Sequence, residues 1–309
     1  MRPVILLASL LSTVSLPAIA EVPDVATDIA PVHGLVARVM DGVGTPTLIV
    51  PASASVHSHD LRPSEAAALD AADVVFWIGE ELSPWFVRPI ETLAADAVTV
   101  TLLDVEGTRL LPFREEEGFD HEDGHEDEGE THDDHDHGHG EIDPHAWLDP
   151  DNASLWMGVI AETLAEADPD NAAAYRENAI SGRAEIAEAF ALSEKRLQDA
   201  GRIRYAVFHD AYQYFENRFG LEPVGAFTLG DAAAPGPARI ARLQKQLVRT
   251  GADCLLIEPQ QNASFVDVFA DGGAVRIVKI DPLGVDLPMG SGFYTALLAS
   301  LTDSFSACR

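Results

Sequence analysis

From 171 to 200 the chain has no proline and one glycine, Gly182, and is built largely of Ala, Glu, Arg and Leu. Apolar side chains recur at Ala179, Ile186, Ala189, Phe190 and Leu197, Asp168-Pro169 marks an entry and Gly201 an exit. The pattern predicts one uninterrupted helix. Some thirty residues at 1.5 Å rise make a rod of about 45 Å. A rod of that length can serve as a stiff spine between the segments on its two sides.

Those segments share a pattern. Before the rod, short apolar runs at 47–50 (TLIV), 74–78 (VVFWI) and 98–102 predict strands, with helices at 63–71 and 84–95. After it, strands are expected at 205–208, 222–227, 255–257 and 275–280, and helices at 212–218, 238–250, 265–270 and 293–305. Alternation of this kind indicates α/β units with parallel sheets. The expected architecture is two lobes, each a parallel sheet flanked by helices, joined by the long helix. The lobes span 21–165 and 202–309, with the linking helix in 166–201.

The first twenty residues stand outside this scheme. Arg2, an apolar stretch over 4–16 and Ala18-Ile19-Ala20 before Glu21 make a secretory leader with an A-x-A cleavage signal. The apolar run is shorter than the roughly 20 residues a membrane span needs. Export puts Cys254 and Cys308, the two cysteines of the chain, in an oxidising compartment, where a disulfide between them is the default. Apolar residues make up 47% of the sequence, enough for proper cores, and the net charge is −31. That balance disfavours nucleic acid and anionic membranes as partners and favours cations.

Much of the charge is local. Residues 115–141 hold fourteen Asp/Glu, six His and no Lys or Arg. The histidines are His121, His125, His132, His135, His137 and His139. Imidazole and carboxylate are natural donors to zinc and other transition metals. So polar a stretch buries too little surface to offset backbone ordering, so a mobile loop that collects metal is expected. Carboxylate neighbours raise imidazole pKa values, so protons compete there with metal. The loop sites are expected to be weaker than a folded site elsewhere.

Five histidines lie outside this loop. His57 follows the TLIV run, His145 opens HAWLDP before a helix, and His209 ends the strand YAVF. In open α/β sheets ligands bind beyond the carboxyl ends of strands, so these three are candidates to converge in one crevice. Asp281, after the run VRIVKI and before Pro282-Leu283-Gly284, holds a similar position. It is a possible fourth ligand, with a turn-initiating role as the alternative. Three imidazoles with a carboxylate or water suit four-coordinate zinc, whereas calcium and magnesium prefer oxygen shells. His59 is close enough to His57 to substitute for it, and His33 is expected at a helix N-terminus near the cleft.

In order and spacing the chain resembles the metal-binding periplasmic proteins of ABC importers, and among them the ZnuA-type zinc-binding proteins. The resemblance rests on the histidine upstream of LRPSE, the acidic His-rich loop, H-x-W-L-D-P at 145–150 and FHDAYQYFENRFGL at 208–221. EPQ at 258–260, DPLG at 281–284 and the late cysteine pair complete it. It implies that His57, His145 and His209 are the primary zinc ligands. His209 stands where manganese-type relatives carry a carboxylate, which favours zinc. Val56 stands where some zinc-binding relatives carry an acidic residue, which leaves the fourth place to Asp281 or water. The implied function is periplasmic capture of Zn²⁺ between the lobes by a monomer, with delivery to a membrane permease and no catalysis. The alternatives are a zinc buffer or metallochaperone, a manganese- or iron-binding relative, and a secreted zinc hydrolase.

Overall fold

The computed structural model describes residues 22–114, 142–228, 245, 247–249, 251–259 and 275–308. The leader, the 115–141 segment with its six histidines, Gln260, the helix expected at 265–270 and most of that expected at 238–250 lie outside the described residues.

The first lobe is wound from β1 (Val25–Thr27), α1 (Ala30–Val39), β2 (Thr47–Leu48), α2 (Pro63–Asp70), β3 (Val74–Trp77), α3 (Val87–Leu93) and β4 (Val98–Thr101). Its strands are all parallel, in the order β2-β1-β3-β4. β1 and β3 are buried along their whole length, as expected of strands covered on both faces. The second lobe contains β5 (Tyr205–His209), β6 (Gly225–Thr228), β7 (Cys254–Ile257) and β8 (Arg276–Lys279), again parallel, in the order β6-β5-β7-β8. In both sheets the chain goes out from the first strand to one side and returns to the other. The reversal lies between the first and third strands, and there the carboxyl ends leave a crevice.

Between the sheets run α4 (Pro150–Ala167) and α5 (Ala172–Ala200), 18 and 29 residues long. Asp149 caps α4 by accepting the Asp151 N–H at 2.9 Å. Asp168 forms the corner before α5, its carboxylate accepting from the Asn171 amide and the Tyr175 hydroxyl. Tyr175, Ala179, Gly182, Ile186, Ser193 and Leu197 form the buried stripe of α5, at the three-and-four spacing of an amphipathic helix. The spine is also fastened sideways. Arg38 of α1 pairs with Glu185 through two 2.8 Å contacts, and Asn178 donates to the carbonyls of Val39 and Asp41 where α1 ends.

After α6 (Gln213–Phe219) and the second sheet, α7 (Phe293–Ser306) packs on α5 and returns to α1. At Gly34 a Cβ would stand 2.8 Å from the Phe293 ring, so only glycine permits this approach. One continuous apolar core therefore runs from Val25 through Tyr175 to Phe305. No helix among the described residues is long and apolar enough to cross a membrane.

Three local readings differ from expectation. β1 was not foreseen, since Val-Ala-Thr is too short to carry a strand pattern; the helix expected to begin at His33 runs over Ala30–Val39, starting three residues earlier. Only Thr47–Leu48 of TLIV pairs as strand, although Ile49 and Val50 still donate to the Thr27 and Asp28 carbonyls. The helix expected over 84–95 begins as a separate 3-10 turn, Pro84–Phe86, and continues as α3.

Candidate metal centre

The three histidines reach one place by different routes. His209 is the last residue of β5, at the reversal point of the second sheet. His145 precedes the 3-10 turn Ala146–Leu148 that leads into α4. His57 comes from the stretch between β2 and α2. Each offers a ring nitrogen, and these atoms lie within 4.8 Å of one another. Ring centroids are 5.0 Å apart for His145 and His209, 5.7 Å for His57 and His145, and 5.9 Å for His57 and His209. His145 and His209 are each only 3% exposed, while His57 is half-buried.

Buried carboxylates stand behind two of the rings. His145 Nδ1 lies 2.7 Å from Asp143 Oδ1, which also accepts the His145 backbone N–H at 3.0 Å. Gln213 donates to the other Asp143 oxygen, and the Tyr214 hydroxyl donates to the Asp143 carbonyl. His209 Nδ1 lies 3.2 Å from Glu258 Oε1, which accepts the Tyr212 hydroxyl at 2.8 Å. A carboxylate on Nδ1 holds the proton there and leaves Nε2 for a metal. Burial pushes the Asp143 carboxyl up, but the charge and hydrogen bonds of His145 outweigh it and hold it below the usual range. Tyr212, fully buried against Glu258, is held well above the usual tyrosine value.

Trp147 packs against His145 with 5.2 Å between ring centroids. Its indole N–H donates to the Pro282 carbonyl at 3.0 Å, and its own carbonyl accepts the Tyr294 hydroxyl at 2.7 Å. Asp281 is placed in this support. Its carboxylate accepts the N–H groups of Leu283, Gly284 and Val285 at 3.0, 2.9 and 2.7 Å. That closes the DPLG turn around Gly284, whose φ of 69° lies in the left-handed region. The cluster of converging donors contains the three histidines and not Asp281.

The remaining candidates are engaged elsewhere. His59 Nε2 lies 2.9 Å from Glu65, and its ring meets Trp85 edge-on. His33 sits inside α1, with Nε2 3.0 Å from the Pro46 carbonyl, and burial lowers its pKa. Asp210, next to His209, is raised by burial although Arg114 stands 3.4 Å away. Arg114 also pairs with Glu216, a wholly buried carboxyl pushed up to about 7 by burial in spite of that cation. Cys254 and Cys308 are joined. The two ends flanking 115–141 meet in an antiparallel bridge, Pro112 to Ile142, and Ile142 directly precedes Asp143.

Asp143, Trp147, Tyr212 and Tyr214 were not singled out from sequence, although Asp143 sits two residues before His145 in I-D-P-H. Trp147 lies in the H-x-W-L-D-P block and Tyr212 and Tyr214 in FHDAYQYFENRFGL, where nothing local gives them a role. The other partners are brought in by tertiary packing.

Two similarly wound lobes, with imidazoles from both sides of the spine meeting between them, define a metal-binding receptor of the two-lobed solute-binding class. The family described as zinc-uptake complex component A, periplasmic (ZnuA), matches residues 25–308. The chain belongs to this family. It is 39% identical over 316 residues to the high-affinity zinc uptake system protein ZnuA of Brucella abortus, covering 92% of this chain and 91% of that protein. It is 38% identical over 319 residues to the protein of the same name from Paracoccus denitrificans, covering 98% and 97%. A crystal structure of ZnuA shares the fold with a TM-score of 0.74 at 18% identity, covering 93% of this chain and 99% of that one. The family is periplasmic, and it is one of solute-binding proteins that serve zinc uptake.

Proposed function

We propose that this chain captures Zn²⁺ through Nε2 of His57, His145 and His209 and delivers it to the membrane permease of an ABC importer. The observation that carries this reading is the convergence of three ring nitrogens within 4.8 Å. Three neutral nitrogen donors and one further position match the tetrahedral preference of zinc. Both oxygens of Asp281 already accept backbone N–H groups, so the fourth position goes to water. The 115–141 segment adds accessory sites, and zinc is cargo, not the agent of a reaction. Glu258 and Asp210, carboxylates that a hydrolase could use as a base, stand against His209 and Arg114 instead. The protein acts as a periplasmic monomer after loss of the leader.

A zinc titration against a competing chelator, paired with elemental analysis, tests the assignment. Replacing any of the three histidines by Ala removes the tightest site. Deleting 115–141 lowers stoichiometry but leaves one tight site. Unchanged affinity in all three histidine variants would overturn the ligand set.

A further inference from the structure

Among the three histidines, His57 alone is set on a stretch with neither strand nor helix beneath it. Two anchors bracket it. Upstream, the carbonyl of buried Val56 accepts both the Ser83 hydroxyl at 2.8 Å and the Trp85 indole N–H at 2.9 Å. Downstream, His59 Nε2 lies 2.9 Å from Glu65 Oε2, the oxygen that also accepts the Arg62 N–H at 2.8 Å. The Trp85 ring stands against His59 with 5.5 Å between centroids, so this one side chain touches both anchors. Ser83 and Trp85 belong to the turn between β3 and α3, and Ser83 is wholly buried. They therefore reach over the carboxyl edge of the first sheet to a segment that left it from β2.

We infer that Trp85 and Ser83 are positioning residues for zinc, holding His57 in place through the Val56 carbonyl. A ligand on an unsupported loop is in place for only a fraction of the time, and the apparent affinity falls by that fraction. Buried donors on the backbone next to the ligand raise the fraction towards one. His145 and His209 need no such device, being set by a helix entry and a strand end with carboxylates behind them. The inference rests on His57 being a zinc ligand.

The test compares Trp85→Phe, Ser83→Ala and their combination in the full chain, each with His57 present and with His57→Ala. Zinc affinity comes from chelator competition and the release rate from stopped-flow transfer to chelator. Trp85→Phe keeps the aromatic packing and removes the donor, so it carries the test should the combined variant fail to fold. With His57 present, Trp85→Phe is expected to weaken zinc binding about tenfold, the scale of losing an outer-shell partner. Most of that change is expected in faster release. In the His57→Ala background the same change should have no further effect, as a double-mutant cycle requires of two residues acting through one interaction. Unchanged affinity in Trp85→Phe, or equal loss in both backgrounds, would overturn the clamp. If His57→Ala alone leaves affinity intact, the ligand assignment fails, and the clamp falls with it.

Discussion

His145 Nδ1 and His209 Nδ1 each face a buried carboxylate, Asp143 at 2.7 Å and Glu258 at 3.2 Å. Asp143 holds the Nδ1 tautomer of His145 and makes its Nε2 a better donor, and Glu258 sets negative charge beside the His209 ring. Asp143→Asn keeps the shape but loses the charge, and its zinc affinity should fall 10- to 100-fold, as seen for outer-shell partners of metal-bound histidine. Competition titration checks this, with unchanged far-UV circular dichroism as the control for folding. Asp28 shows a carboxylate in the opposite situation. It follows β1, is fully buried, and accepts the N–H groups of Ile29 and Ile78 at 2.7 and 2.8 Å. Burial outweighs these bonds and raises its pKa from 3.8 to about 7. The folded protein therefore holds a proton that the unfolded chain has released. The stability this gives is complete below about 3.8 and is lost as pH rises through about 7. The stability of Asp28→Asn relative to the native chain should accordingly improve from pH 4 to pH 8, by up to a few kcal/mol. Urea unfolding of the metal-free proteins across that range measures it, and a flat difference would contradict it.

α1 is gripped from two sides, by α5 through Arg38–Glu185 and by α7 through the Gly34–Phe293 approach. Gly34→Ala places a methyl 2.8 and 2.9 Å from Phe293 Cδ1 and Cβ. The second of these atoms cannot swing away, so the helices must part. The expected loss is about 1–3 kcal/mol, the range for overpacking, with the zinc affinity of the folded protein unchanged. Denaturant titration and competition binding separate the two effects. The ease of reading elements from sequence follows the same physics. α5 was legible because Tyr175, Ala179, Ile186 and Leu197 repeat at helical spacing over 29 residues. β1 was not, because three residues hold too little alternation to distinguish strand from loop, and its burial is imposed by neighbours on both sides. His145 and His209 were legible because they sit at a helix entry and a strand end, and His57 because it follows the apolar run TLIV. The outer shell was hidden, because Glu258 meets His209 only through the pairing of β5 with β7.

Across the whole molecule the lobes share a core, and the disulfide closes its far end. Cys254 opens β7 and Cys308 follows α7, 54 positions further along the sequence. Closing a loop of that size lowers unfolded-state entropy by about 4 kcal/mol at 25 °C in the chain-entropy description. The Cys254→Ser/Cys308→Ser variant should lose stability on that scale while keeping its tight zinc site, checked by chemical unfolding and chelator competition. The grip of α7 on α1 has a consequence for the order of assembly. α1 lies near the start of the described chain and α7 near its end, and each covers apolar surface of the other. The first sheet can pair early, but its helix stays uncovered until Phe293 arrives. A polypeptide threaded through an export channel from its amino end thus cannot complete its first half ahead of its second. The face of α1 that Phe293 covers is therefore the last part of the first lobe to be closed over.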